Sequence, residues 1–304
     1  MIKKILITGS SGMIGTRLFE KLLAEGYKVI GFDKKPNKWQ PELNKSTIIG
    51  DLLNQEDVKK IPVDFDIVIH LAANARVYDL VVKPGLALEN IISTYNILEF
   101  SRKNSIKRFI FSSSRETYGN RKKIIAKEED VDINLCESAY AASKISDEAL
   151  IYSFSKCYGI NHIVCRFSNV YGMYDDSDRF VPLLIKKMRK NNGAEIFGKD
   201  KILDFTYIDD CVFGIIKCIE KFDKAKNNTF NIASGKGEKL TEVARVIKKG
   251  LNSSSKISLG RNRAGEVVKY IADISKAKKM IGYSPKYSIK EGIKLSIDWY
   301  MKNQ

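Results

Sequence analysis

The feature that most constrains the fold of this chain is a run of three glycines that follows its first apolar stretch. Gly9, Gly12 and Gly15 stand three residues apart, directly after the apolar residues at the N-terminus. Glycines at this spacing let a strand turn sharply into a helix and bring bare backbone close to the helix N-terminus. The first amide groups of such a helix favour an anion. The segment therefore predicts a strand–turn–helix unit that binds the pyrophosphate of a dinucleotide.

A second segment, far along the chain, carries a tyrosine and a lysine four residues apart. Tyr140 and Lys144 share one face if this segment is helical. On that face an ammonium group lowers the pKa of a neighbouring phenol and makes it a usable acid or base at neutral pH. Either segment alone is weak evidence. Together they predict a nicotinamide-dependent enzyme that acts on a hydroxyl or a ketone.

Composition places the chain among ordinary globular proteins. Its 304 residues are 44% hydrophobic and 29% charged, and its five cysteines form no CxxC pair. We expect neither a membrane span nor a signal peptide, because no apolar run approaches roughly 18–20 residues and a strand begins at once. Scattered thiols and two histidines favour a reduced, cytoplasmic protein without a metal site. The net charge of +16 is spread over the whole length, which favours a lysine-rich surface or an anionic substrate over a nucleic-acid partner.

Strand and helix signals alternate from the start, which is typical of a parallel sheet flanked by helices. The predicted fold class is α/β, with a doubly wound (Rossmann) parallel sheet and a smaller C-terminal α/β substrate-binding domain. Residues 1–167 form the nucleotide-binding domain in this prediction. Residues 168–304 are mainly the substrate-binding domain, with a segment near 203–232 that returns to the first domain. The predicted strands are 3–8, 28–33, 46–50, 66–73, 107–113 and 161–167, and the predicted helices are 12–25, 86–103, 140–158, 179–192, 209–222, 240–251 and 289–302.

Acidic residues after two of these strands indicate which dinucleotide is bound. Asp33 ends the second strand, about 20 residues beyond the glycines, where a carboxylate accepts hydrogen bonds from ribose hydroxyls and repels a 2′-phosphate. NAD is therefore favoured over NADP, although Lys34 and Lys35 leave some room for a phosphate. Asp51 follows the next strand, a position from which an acid reaches an adenine amino group. Residues 1–167 are thus predicted to bind NAD.

Short motifs in a fixed order accompany the glycines and the Tyr140–Lys144 pair along nearly the whole chain. They are Gly-Asp-Leu at 50–52, His-Leu-Ala-Ala at 70–73, Asn90, Asn-Ile-Leu-Glu at 96–99, three serines at 112–114 ahead of Tyr-Gly at 118–119, Arg-Phe-Ser-Asn-Val-Tyr-Gly at 166–172, Asp-Phe-Thr-Tyr-Ile-Asp-Asp at 204–210 and Phe-Asn-Ile at 230–232. In these motifs the chain resembles the NAD-dependent epimerase/dehydratase family. These are extended short-chain dehydrogenase/reductases that act on nucleotide sugars.

The resemblance implies roles for residues at the matching positions. In this family the last residue of the serine run, here Ser114, hydrogen-bonds the reacting sugar hydroxyl. Tyr140 then removes the hydroxyl proton, Lys144 holds the nicotinamide ribose, and Asn169 stands where the sugar or its diphosphate binds. His70 is interpreted as a packed residue at a strand end rather than as a catalyst. The expected cofactor contacts, besides Tyr140 and Lys144, are Gly9, Gly12, Met13, Ile14, Gly15, Asp33, Asp51, Leu52, Leu71, Ala72, Ala73 and Asn90.

One departure from the family pattern leaves the reaction open. Arg115 and Glu116 stand where 4,6-dehydratases of the family carry an Asp-Glu acid/base pair and where UDP-hexose epimerases carry no acid. Glu116 is then either a base that abstracts a proton beside a 4-keto group or a carboxylate that pairs with Arg115 in the pocket wall. We favour the wall, although decarboxylases and mannose-type dehydratases also carry a glutamate here.

A second departure concerns the substrate phosphates. Leu203 stands where the family often has an arginine that contacts them, which puts the usual UDP-binding mode in doubt. Arg263 matches the other phosphate-contacting arginine, and Arg179 and Arg261 are weaker candidates. The usual proline after Tyr-Gly is replaced by Met173.

The leading functional hypothesis is an NAD-dependent nucleotide-sugar 4-epimerase. C4 is oxidised to a transient 4-keto sugar, which turns in the pocket before hydride returns to its opposite face. The alternatives keep the fold and use other chemistry: a 4,6-dehydratase, a decarboxylase, or a 4-dehydrogenase or ketoreductase. A non-catalytic, NAD-sensing regulator is disfavoured, because Ser114, Tyr140 and Lys144 are all present.

We also expect a homodimer. Members of the family commonly pair through two long helices, here about 86–103 and 140–158. The apolar side chains expected on their outer faces are Ile91, Ile92, Tyr95 and Leu98 on the first, and Ala149, Leu150, Tyr152 and Phe154 on the second.

Overall fold

Strands and helices alternate through the chain, of which the computed structural model describes residues 2–303. The strands are β1 (Lys4–Thr8), β2 (Lys28–Asp33), β3 (Thr47–Ile49), β4 (Ile67–His70), β5 (Arg108–Ser114), β6 (Ile125–Ala126), β7 (Asn161–Phe167), β8 (Asn169–Tyr171), β9 (Ala194–Phe197), β10 (Ile202–Tyr207), β11 (Asn228–Ile232), β12 (Gly237–Lys239), β13 (Ile257–Gly260) and β14 (Lys269–Ala272). The helices are α1 (Met13–Ala24), α2 (Gln55–Val58), α3 (Val77–Val82), α4 (Leu86–Lys103), α5 (Ala139–Tyr158), α6 (Phe180–Arg189), α7 (Ile208–Glu220), α8 (Phe222–Ala225), α9 (Leu240–Gly250), α10 (Ser275–Ile281) and α11 (Ile289–Asn303). Within residues 2–303, no helix combines the length and the apolar character needed to cross a bilayer.

Seven strands of the described chain form one sheet, in the order β11-β7-β5-β4-β1-β2-β3, and all neighbouring strands are parallel. Its central strands read as continuous apolar runs, because helices cover both faces of a parallel sheet. Residues 5–7 of β1 and 67–69 of β4 are completely buried. The strand order reverses between β1 and β4, and open sheets of this kind bind ligands at such a point, outside the carboxyl ends of the strands. The predicted doubly wound α/β class is confirmed.

The C-terminal half contributes smaller sheets. In the described residues β12, β10, β14 and β6 form a sheet in that order, with β8 also pairing with β10, and β9 pairs with β13. Of the segment expected to return near 203–232, β11 joins the large sheet beside β7 and α7 packs against α1. Its first part, β10, belongs instead to the second sheet. The return to the large sheet therefore follows β10.

Two predicted strands end differently in the structure. The strand expected over 66–73 ends at His70, so that Leu71 leaves the sheet as part of a loop. The strand expected over 107–113 ends at Ser114, and a 3₁₀ turn over Arg115–Tyr118 follows it. Ser114 caps this turn, because its hydroxyl accepts a hydrogen bond from the amide of Glu116 at 3.2 Å. Both segments therefore leave the sheet at the carboxyl ends of their strands, β4 and β5.

The outer face of α4 is apolar. Leu88, Ile92 and Tyr95 recur at helical spacing and are 62%, 47% and 45% exposed. Leu98 and Phe154, which the sequence placed on the outer faces of α4 and α5, are instead buried, because they lie on the stripes that pack into the hydrophobic core beneath the helices. Of the other side chains expected outside, Ala149 is exposed and Ile91, Leu150 and Tyr152 are half-buried.

Candidate active site

A cavity of about 1100 Å³ lies along the carboxyl ends of the central strands and extends into the C-terminal half. Its wall contains all but one of the residues that the sequence predicted for cofactor binding, substrate binding or catalysis: Gly9, Gly12, Met13, Ile14, Gly15, Asp33, Asp51, Leu52, Leu71, Ala72, Ala73, Asn90, Ser114, Glu116, Tyr140, Lys144, Asn169, Arg179 and Arg263. The exception is Arg261, one of the two weaker phosphate candidates, which is exposed and is not among the residues that line the cavity. Segments more than 250 residues apart in the sequence thus meet around one space.

The glycine loop is too tight for side chains. A Cβ atom at Gly9, whose φ is +72°, would lie 2.6 Å from the amide nitrogen of Ala72. A Cβ atom at Gly15 would lie 2.1 Å from the carbonyl oxygen of Gly9. The hydroxyl of Ser11, in the same loop, is buried and makes no hydrogen bond within residues 2–303. These bare amides and the hydroxyl at the start of α1 fit a bound pyrophosphate.

The carboxylates at the adenosine end are held in place by the chain itself. Asp33 accepts hydrogen bonds from the amides of Ser11 at 2.9 Å and Lys35 at 3.1 Å. Burial raises the pKa of Asp33, and these amides act in the opposite direction. The Nζ atom of Lys34 lies 3.1 Å from a carboxylate oxygen of Asp51. Asp33 also lines the cavity, and Lys34 is paired with Asp51 rather than with Asp33. A carboxylate at the end of the second strand fits NAD better than NADP.

Two buried polar residues lie near the start of the loop after β4: Asn90, which lines the cavity, and His70, the last residue of β4. His70 is packed at the strand end, with Nδ1 2.6 Å from the hydroxyl of Thr8 and Nε2 3.1 Å from the hydroxyl of Thr94. Burial lowers the pKa of His70 to about 3, so the imidazole is neutral at pH 7. Asn90 accepts a hydrogen bond from the amide of Asn74 at 2.7 Å and donates one to its carbonyl at 3.2 Å. Asn90 therefore fixes the loop that follows β4, and His70 links the end of β4 to β1 and α4.

Ser114, Tyr140 and Lys144 come together from β5 and the start of α5. Tyr140 is buried and hydrogen-bonded to Ser114. The ammonium of Lys144 donates a hydrogen bond to the carbonyl of Ser112 at 3.0 Å and lies 4.5 Å from the ring centroid of Phe111. These contacts direct the lysine along the wall that carries the tyrosine and the serine.

Burial dominates the protonation of both groups. It raises the pKa of Tyr140 to about 12, against the opposing effect of the hydrogen bond with Ser114. Burial also lowers the pKa of Lys144, and the nearby acids Asp147 and Glu148 oppose it. The spacing of Tyr140 and Lys144 predicts a lowered pKa for the phenol, but in the structure the pKa of Tyr140 is raised. Desolvation of the phenol outweighs the hydrogen bond with Ser114 and the positive charge of Arg179, which both lower its pKa.

Arg115 and Glu116 form a buried ion pair in the wall. Their Nη2 and Oε1 atoms lie 2.7 Å apart, and both side chains are more than nine-tenths buried. Burial raises the pKa of Glu116, and the guanidinium of Arg115 opposes this. Lys201 and Glu266 form a second ion pair in the same wall. Glu116 is therefore a wall carboxylate that is already paired with a cation.

The other end of the cavity carries the candidate substrate contacts. Asn169 donates a hydrogen bond to the carbonyl of Asp204 at 2.9 Å, and Arg179 reaches the carbonyl of Ala75 at 3.4 Å. The guanidinium of Arg263 lies 4.0 Å from the ring centroid of Phe197. Leu203 contributes apolar surface here, in place of the arginine that the resemblance implies.

A comparison with protein families identifies the chain. The model of the NAD dependent epimerase/dehydratase family matches residues 5–233. The chain belongs to this family. It is an NAD-dependent enzyme, as the resemblance implied.

Individual members of the epimerase/dehydratase family match over the full length. A putative UDP-glucose 4-epimerase of Methanocaldococcus jannaschii is 32% identical, with 98% of each protein covered. The structure of a UDP-glucose 4-epimerase of Thermotoga maritima with UDP-glucose is 31% identical, with a TM-score of 0.90 and 98% and 99% of the two chains covered. That of a UDP-glucuronic acid 4-epimerase of Bacillus cereus with UDP-glucuronic acid and NAD is 30% identical, with a TM-score of 0.92 and 99% and 100% covered.

Two features of this family member were missed from the sequence. Lys201 lies in the cavity wall, two residues before Leu203. In this segment the sequence had indicated only that Leu203 replaces an arginine of the family. Asp147 lies three residues after Lys144, on the same face of α5, and is completely buried. Its spacing of three residues from Lys144 indicates, from the sequence alone, that the two side chains are neighbours on one face of the helix.

Proposed function

We propose that this enzyme interconverts the C4 epimers of a nucleotide-diphosphate sugar. The observation that carries this is one cavity that joins the glycine loop and Asp33, at the cofactor end, to Ser114 and Tyr140 and then to Asn169 and Arg263. A dinucleotide and a nucleotide sugar both fit such an elongated site. Residues 1–167 would hold the cofactor and residues 168–304 mainly the substrate, with β11 completing the large sheet.

The proposed chemistry assigns one task to each side chain around C4. Ser114 hydrogen-bonds the C4 hydroxyl of the sugar, and Tyr140 takes its proton when C4 is oxidised and returns it when C4 is reduced. Lys144 binds the nicotinamide ribose and stabilises the deprotonated Tyr140 through its positive charge. Bound NAD supplies the hydride acceptor and, in its oxidised form, a further positive charge in the cavity. Inversion requires the 4-keto sugar to turn between the two hydride transfers.

The paired state of Glu116 favours epimerisation over dehydration. Elimination from a 4-keto sugar requires a base that removes the proton at C5. The carboxylate of Glu116 is bound to Arg115 at 2.7 Å, so it would have to give up this ion pair before it could take a proton from the sugar. The relatives named as 4-epimerases support the same choice.

The nucleotide-diphosphate end relies on a smaller set of cations than the family pattern implies. Arg263 and Arg179 line this end of the cavity, whereas Leu203 supplies no charge. Lys201 lies in the same wall but is already paired with Glu266. We therefore assign the substrate phosphates to Arg263, with Arg179 and Asn169 as further contacts.

A panel of UDP-, GDP-, CDP- and dTDP-sugars, followed by NMR in deuterated water, tests the proposal. Epimerisation by return of hydride to C4 leaves C5 and C6 unlabelled, whereas elimination introduces deuterium there. The variant Glu116→Gln separates the two reactions. A 4-epimerase should still form its product with this change, whereas a dehydratase that uses Glu116 as its base should not. Deuterated 6-deoxy product from the wild type, or absence of any reaction across the panel, would overturn the assignment.

We propose that two copies pair through α4 and α5. Leu88, Ile92 and Tyr95 present an exposed apolar stripe on α4, and Ala149 is exposed on the adjacent α5. A two-fold arrangement would pack each helix against its counterpart in the partner. Size-exclusion chromatography with light scattering tests this, and a stable monomer of 34.4 kDa at micromolar concentration would contradict it.

We place the enzyme in the cytoplasm. Support comes from its thiols: all five cysteines are free, although Cys165 and Cys218 lie with their sulfurs 3.7 Å apart in the core. Such a pair stays reduced in a reducing compartment. Thiol titration of protein freshly isolated from its own cells should count five thiols per chain.

A further inference from the structure

The ammonium of Lys144 has one carboxylate beside it whose charge no other cation balances. Both side chains are completely or almost completely buried, with Asp147 0% and Lys144 2% exposed. Their Nζ and Oδ2 atoms lie 3.8 Å apart, one helical turn along α5. This is too long for a hydrogen bond but close enough for a strong attraction in a dry environment.

The groups around Asp147 leave Lys144 as its only cationic neighbour among the described residues. On α5 itself, Glu148 is bound by the guanidinium of Arg166 through contacts of 2.9 and 2.7 Å. From β4, His70 is neutral at pH 7, because burial lowers its pKa to about 3. From α4, Thr94 offers a hydroxyl. Neither oxygen of Asp147 has a hydrogen bond of normal length within residues 2–303.

A buried ammonium without a counter-ion loses its proton at a lower pH than one that has a counter-ion. Desolvation lowers the pKa of Lys144, and the first effect that opposes it is the charge of Asp147. In return, Lys144 lowers the pKa of Asp147, which burial raises to about 6. Each charge thus opposes the effect that burial has on the pKa of the other group.

We infer that Asp147 is a positioning residue, the buried counter-ion that holds Lys144 in its ammonium form against the cavity wall. The pairing itself depends only on the two side chains. Its catalytic consequence rests on the proposed function, in which the positive charge of Lys144 stabilises the deprotonated Tyr140. Tyr140 is the remaining titratable group on this face of α5.

A double-mutant cycle tests the pairing without any substrate. In the wild-type background, Asp147→Asn leaves a buried cation unbalanced and should lower Tm by about 5–8 °C. In the Lys144→Met background, the same change removes an unbalanced buried carboxylate and should raise Tm. Ser146→Ala, next to Asp147 on α5, is the matched control. Bound NAD is measured in every sample at one saturating concentration, since ligand binding shifts Tm. Equal effects of Asp147→Asn in both backgrounds would overturn the inference.

The pH dependence of turnover tests the consequence. In Asp147→Asn, Lys144 should lose its proton at lower pH. The alkaline limb of the plot of kcat against pH should therefore shift to lower pH by about one pH unit or more. Asp147→Glu should restore the limb towards the wild-type position. An unmoved limb in Asp147→Asn would overturn the link to catalysis. If the wild type turns over no nucleotide sugar, the proposed function fails, and the sign of the double-mutant cycle still decides the pairing.

Discussion

The hydroxyl of Tyr140 is the residue-scale feature on which the proposed chemistry depends most. Its ring is buried with Leu80 of α3 and Ala87 of α4, and its hydroxyl is hydrogen-bonded to Ser114. Tyr140→Phe should therefore leave fold and NAD content unchanged and lower kcat by at least about 10²-fold, the usual effect of losing a general acid/base. Steady-state kinetics together with the NAD content of the purified variant check this. A variant with near wild-type turnover would contradict the assigned role.

A second prediction at the residue scale concerns Asp33, which we expect to set the preference for NAD over NADP. Asp33→Ala removes the negative charge that faces the 2′ position, so NAD should bind more weakly and NADP relatively better. Fluorescence titration with both cofactors measures the ratio of the two Kd values. Lys34→Ala is the control: it frees Asp51 but keeps Asp33, and it should leave the preference for NAD intact. A wild type that already prefers NADP would contradict the role of Asp33.

At the scale of elements, long patterned segments were predictable and short ones were not. The predicted helix 86–103 coincides with α4, and strands 28–33 and 161–167 coincide with β2 and β7. The two-residue β6, the three-residue β8 and the seven-residue α10 were not predicted, because so few residues show no periodicity. The 3₁₀ turn over Arg115–Tyr118 depends on a cap by Ser114 that apolar pattern does not reveal.

The positions of the site residues were predictable for a related reason. The expected residues line one cavity because many of them follow strands, and parallel strands end at one edge of a sheet. The contacts that surround the site residues were harder to predict from the sequence. The burial of Asp147 depends on α4 packing beside α5, and the neutral state of His70 depends on β1 and α4 together. Such contacts join segments that are far apart in sequence.

The stripe on α4 gives an element-scale prediction. Tyr95→Glu places a charge in the centre of the proposed helix pairing and should shift the protein from dimer to monomer at micromolar concentration. Leu23→Glu on α1 is the matched control, since Leu23 is 44% exposed and Tyr95 is 45% exposed. Light scattering of both variants reads the outcome. Loss of the dimer in both, or in neither, would contradict a role for α4.

At the scale of the whole molecule, the buried His70 makes stability depend on pH. Its pKa is about 3 in the folded chain and about 6.5 when unfolded, so only the unfolded state binds this proton between those values. Stability is therefore unaffected above pH 6.5 and falls by up to about 1.4 kcal/mol per unit as the pH drops below it. When the pH is lowered from 7 to 5, the Tm of His70→Asn should fall less than the Tm of the wild type. Identical slopes for the two proteins would contradict a neutral, buried imidazole.

The position of β11 at the edge of the large sheet has a consequence for how the molecule is made. A ribosome that has released β7 must add about 60 further residues before Asn228–Ile232 appears. At about 5–20 residues per second, the edge of β7 stays open for several seconds. An open strand edge invites pairing with another chain. Nascent protein should therefore be most prone to aggregate in this interval, and truncation just before Asn228 should yield insoluble chains where truncation after Ile232 does not.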